Sequence, residues 1–186
     1  MTKELLAWAS IIALCIFSAI GYGVIHDQIT AHVCVEYFTI GHPPIFTTDN
    51  PILLGLGWGV IATWWVGALL GLALAAVARV GRRPKLGAGS LGRPIAWLSV
   101  VTGICACAAG LIGWWLASRG AVRLVGWLAE RIPVEKHATF LADGFAHTAS
   151  YAAGFLGAIV VLVYVWRKRG RTAPVACQAN LQQQLK

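Results

Sequence analysis

Residues 140–166 read FLADGFAHTASYAAGFLGAIVVLVYVW. A bilayer's hydrocarbon is crossed by about 20 consecutive apolar residues in a helix, and this stretch is long enough to do it. It nevertheless carries an aspartate, Asp143, and a histidine, His147, inside its first third. Working outward, three more apolar blocks of comparable length precede it, at about 5–25, 52–78 and 94–118. The chain of 186 residues is 58% hydrophobic and 12% charged, against about 45–50% and 25% in a soluble domain. These blocks predict an all-α fold: a polytopic membrane protein in which four transmembrane helices form one bundle over residues 1–169. A disordered cytoplasmic tail is expected over 170–186, which is polar and glutamine-rich. A cleaved leader is the competing reading of the first block. Its weakly charged start, long apolar run and lack of an Ala-x-Ala site argue against that.

The formal charge of +8 sits in the connections, so it speaks of orientation and not of nucleic acid. One cation, Lys3, precedes the first block, none lies in 26–51, five lie in 79–93, four in 119–139 and five in the tail. Cytoplasmic loops are enriched in Lys and Arg. Both termini and the 79–93 loop are therefore expected inside, in the manner of a bacterial cytoplasmic membrane, with 26–51 and 119–139 outside.

Local signals place further elements. No Pro or Gly interrupts 25–38, so helix 1 is expected to continue outward, or to bend into an interfacial helix, as far as about Thr39. Gly41-His42-Pro43-Pro44 then ends it. Asp49 or Asn50 is a suitable N-cap, with Pro51 at the first helical position. Residues 119–136 read as an amphipathic outer helix with Val122, Val125, Leu128, Ala129 and Ile132 on one face. Regularly spaced small residues in blocks two, three and four predict close helix approach. Five cysteines make no disulfide framework. Cys15, Cys105 and Cys107 fall within apolar blocks, and Cys34 stands alone on the outer side.

All five histidines, and six of the seven carboxylates, fall on that outer side. Asp143, His147 and Tyr151 are spaced i, i+4, i+8, a stripe down one helix face. An ionisable residue within a span is costly and usually faces the protein interior or a water-filled cavity. The second concentration is His26-Asp27, His32, Glu36-Tyr37 and His42, with no Lys or Arg among them. On a continuous helix His32 and Glu36 are one turn apart and can share an ion. The same helix puts Tyr22, His26, Ile29, Val33 and Glu36 in one broad arc, with His32 at its edge and Asp27 on the opposite flank.

Imidazole and carboxylate together are ligands of divalent first-row metals. The expected ligands are His26, Asp27, His32, Glu36, His42, Asp143 and His147, for Zn, Fe, Mn or Cu. Tyr37 or Tyr151 would be a proton donor, and no catalytic residue is assigned. The function so implied is a small membrane oxidoreductase or hydrolase with an outward-facing metal site. Haem b clamped by two histidines is one alternative. Another is a non-catalytic subunit or assembly factor in a homo-oligomer or larger membrane complex, and transport is a third. No zinc-protease, Cys-x-x-Cys or nucleotide-binding motif is present.

Overall fold

The computed structural model describes residues 2–171 in full and continues the backbone of the last helix to Gln184. The expected tail therefore lies, beyond Arg171, outside the fully described residues. Among the described residues seven α-helices follow in order: α1 (Thr2–Val33), α2 (Val35–Thr39), α3 (Pro51–Ile61), α4 (Trp64–Arg79), α5 (Gly92–Ser118), α6 (Trp127–Arg131) and α7 (His137–Gln184). Single 3₁₀ turns occupy Ala88–Ser90 and Val134–Lys136, and the described residues contain no strand. Four segments are long and apolar enough to cross a membrane: Thr2–Val33, Pro51–Arg79, Gly92–Ser118 and Val134–Arg171.

The helices associate as two pairs. In one, α1 lies along α3 and α4; in the other, α5 lies along α7; the contact between pairs is sparser. Glycines explain the first pair. A Cβ added at Gly59 would stand 2.6 Å from Val24 Cα, and at Gly67 2.7 Å from Ile16 Cα. At Gly55 it would meet the Asp27 carbonyl oxygen at 2.9 Å. Bare glycine surfaces thus let α1 approach backbone to backbone, and they seat Asp27 against α3. In the second pair Gly110 faces Ala146 and Gly113 faces Phe145, which fixes α7 where His147 follows.

Two expectations need correction, and a third is resolved between its alternatives. Helical structure reaches Thr39 as expected, in two pieces: α1 breaks at Cys34, whose backbone is extended (φ −149°, ψ 96°), and α2 follows. Flanking Val33 and Val35 are poor helix formers. The Cys34 side chain is buried with Ile132 and Phe140, so the break docks the chain onto the 132–140 segment. Block two is two helices separated at Ala62-Thr63, where the Thr63 hydroxyl donates to the Gly59 carbonyl. The outer helix over 119–136 shortens to α6 and one 3₁₀ turn. Gly120 and Gly126 take positive φ (71° and 66°), and Val125 is exposed, so the apolar period across 119–126 is not used as a helix face. The N-cap is as expected: Asn50 Oδ1 accepts from the Ile52 and Leu53 amides at 2.9 and 3.3 Å.

At the basic end two hubs tie the α4–α5 connection to the helices around it. Glu4 takes a bidentate Arg79 (3.0 and 2.8 Å) and Lys85 (3.1 Å). Arg169, buried on α7, donates to the carbonyls of Val77, Val80, Arg83 and Pro84. These include carbonyls left open where α4 ends. An aliphatic core of Ile11, Leu74, Leu91, Ile95 and Val165 seals the structure behind these hubs.

Candidate metal centre

The opposite end gathers the histidines. His147 is 5% exposed, one turn after Asp143 on α7. Its Nδ1 lies 2.8 Å from the Asp143 main-chain oxygen. A carbonyl only accepts, so Nδ1 carries a proton, and Nε2 is a lone pair in the neutral ring or a donor in the imidazolium. That Nε2 is 3.4 Å from Oδ1 of Asp27, itself 5% exposed. An acceptor thus faces an acceptor unless a cation, proton or metal, stands between them. Ligand atoms about 2.1 Å from a tetrahedral ion lie about 3.4 Å apart.

His26 completes the group. Its ring meets that of His147 edge to face, centroids 4.6 Å apart, and its Nε2 is buried with no hydrogen-bond partner. One ligand atom each from His26, Asp27 and His147 can be chosen so that all lie within 4.8 Å of one another. Asp143, 2% exposed, adds Oδ2, a second buried acceptor without a partner. Two elements make the site: the seam of α1 on α3 holds Asp27, and the α5–α7 seam holds His147. No described Lys or Arg forms an ion pair at this end.

Aromatic rings wall the group. Tyr37 lies against His147 at 4.6 Å, Phe140 against Tyr37 at 5.1 Å, and Tyr22 stacks on His26 at 5.8 Å. The Tyr22 hydroxyl and Ser150 share a hydrogen bond of 2.7 Å across α1 and α7. His42 packs flat on Phe38 and against Trp58, its ring 6.3 Å from His147 and its Nδ1 2.8 Å from the Tyr37 carbonyl oxygen. Burial pushes the His42 ring down from its ordinary value, partly opposed by that carbonyl, and pushes the Tyr37 hydroxyl up. Beyond Phe38 and Trp58 a cavity of about 130 Å3 lies beneath the 43–49 loop.

Of the seven expected ligands, the structure brings together His26, Asp27 and His147, with Asp143 adjacent in sequence turn and His42 at the rim. Asp27 corrects its expected place. It faces inward, while Ile29 and Val33, expected to share the site's arc, are exposed. His32 is exposed and turned back onto the Gln28 carbonyl at 2.7 Å. Glu36 lies beyond the Cys34 break, which removes the one-turn spacing to His32, and its Oε2 accepts from the Cys34 thiol at 3.4 Å. Burial raises that thiol's pKa to about 11. Tyr151, expected to continue the α7 stripe inward, is 63% exposed; Ser150 takes the inward position. His137 bonds the Ile132 carbonyl and stays outside the group. Sequence spacing set Tyr22 in an arc with His26 but assigned no site role to Tyr22, Ser150 or Trp58. The i, i+4 spacing of Tyr22 and His26 was the available signal for the first of them.

Comparison with protein-family models, with curated proteins and with solved structures finds no match to this chain.

Proposed function

We propose that this protein is a membrane metalloprotein, with one divalent transition-metal ion held between α1 and α7 by His26, Asp27 and His147. The observation that carries this reading is the convergence of three possible ligand atoms within 4.8 Å of one another: Nε2 of His147 against Oδ1 of Asp27, with Nε2 of His26 unpartnered beside them. The Nδ1–H of His147 is held by a carbonyl, the usual outer support of a metal-bound imidazole. Two imidazoles and one carboxylate leave coordination positions open for water or substrate, as in non-haem iron and catalytic zinc sites. The reading is therefore a small oxidoreductase or hydrolase, with Asp143 supplying a further oxygen or accepting a proton. The ring spacing suits one ion better than haem, since rings 4.6 Å apart and edge to face leave no plane for a porphyrin. Charge bias supports an outward site: the described end that holds the hubs of Arg79, Lys85 and Arg169 faces the cytoplasm.

The test is elemental analysis of detergent-purified protein, wild type beside His147→Ala and Asp27→Asn, with no chelator in the buffers. About one equivalent of metal in wild type is expected, with none in His147→Ala and at least tenfold weaker retention in Asp27→Asn. Metal-free wild type that rebinds no Zn, Fe, Mn or Cu would make the contact an Asp27–His147 ion pair tying α1 to α7.

A further inference from the structure

Past the histidine site, the second half of α7 has two unlike faces. Val161, Val165 and Arg169, spaced by one turn, are buried against the rest of the molecule. On the other side Ile159, Val160, Val163 and Tyr164 are exposed, and the same stripe runs on into Arg167, Lys168 and Arg171. Together these side chains line an open groove of about 530 Å3, aliphatic along its length and cationic at its end. Lys168 is drawn toward the apolar part, its Nζ 5.9 Å above the Tyr164 ring.

We propose that this groove binds an anionic phospholipid, with an acyl chain along Ile159, Val160 and Val163 and the phosphate at Arg167, Lys168 and Arg171. Three features favour that occupant. The change from aliphatic to cationic occurs where the apolar run of α7 ends, between Trp166 and Arg167, and a headgroup would lie there. No carboxylate lines the groove, and Glu4, the one carboxylate at this end among the described residues, is held by Arg79 and Lys85. The third cation of the 167–169 run, Arg169, is turned inward onto backbone carbonyls, so the groove's cations are a sorted subset and not simply a basic terminus. Basic pockets on the cytoplasmic side of membrane proteins recognise anionic headgroups in this way.

The experiment is a lipid titration of the detergent-purified full chain read by native mass spectrometry, using phosphatidylglycerol and phosphatidylcholine with the same acyl chains. Wild type should bind phosphatidylglycerol about tenfold more tightly. The triple variant Arg167→Gln, Lys168→Gln, Arg171→Gln should lose that preference, while a control neutralising Lys3, Arg82 and Arg93 should keep it. Val160→Trp, which fills the groove without changing charge, should weaken both lipids. Equal binding of the two lipids by wild type would overturn the proposal. So would equal loss of preference in the triple variant and the control, because it would mean a diffuse charge effect. Unaltered binding in Val160→Trp would overturn the acyl-chain seat.

Discussion

The two ends of the molecule handle buried polarity in opposite ways. At the basic end a buried guanidinium, Arg169, has four carbonyl acceptors, and Glu4 is shared by two cations. At the histidine end Asp143 Oδ2 and His26 Nε2 have no hydrogen-bond partner among the described residues, and His147 Nε2 stands 3.4 Å from Asp27 Oδ1. Burial of a polar group without a partner costs free energy; the closed end meets that cost within the chain, and on the reading proposed above a metal ion meets it at the histidine end.

The largest expected effect lies at the closed end. Arg169→Ala strips donors from four carbonyls and should destabilise the protein by on the order of 3 kcal/mol, read as a lower unfolding midpoint in detergent. Arg169→Lys should recover only part of it, because an ammonium cannot reproduce the planar fork. A midpoint unmoved by Arg169→Ala would erase the contrast between the ends. Next comes Gly59→Ala, which forces α1 away from α3 where a Cβ would stand 2.6 Å from Val24 Cα. A loss of about 1–3 kcal/mol is expected, and metal retention should fall with it, since the same seam seats Asp27. Retention unchanged at full occupancy would separate the seam from the site.

Glu4→Gln tests the half-exposed hub. Partly solvated ion pairs contribute little, so the midpoint should move by no more than about 2 °C, and raised salt should shrink the difference further. The smallest effect is expected from His32→Ala combined with Glu36→Gln. Neither side chain belongs to the converging group, so metal content should equal wild type. A loss here would restore the broader ligand set read from spacing and break the assignment to α1 and α7.

Much of this was legible along the chain, and the reason is local. The four apolar segments, the Asn50 cap, the glycine seams and the one-sided distribution of histidines and carboxylates are properties of composition and short-range spacing. Each follows from solvation or from backbone geometry over a few residues. The membership of the site was not local. Asp27 was assigned to the far flank because the helix was oriented by its other polar residues. The glycines of α3 turned α1 the other way. His32 and Glu36 looked like partners because Val33 and Val35 only weaken a helix and do not end one; burial of the Cys34 thiol against Ile132 and Phe140, about a hundred residues on, makes the break. Periodicity says which residues share a face of one helix. Which face is turned inward depends on close contacts with other helices, and these only the packed chain supplies.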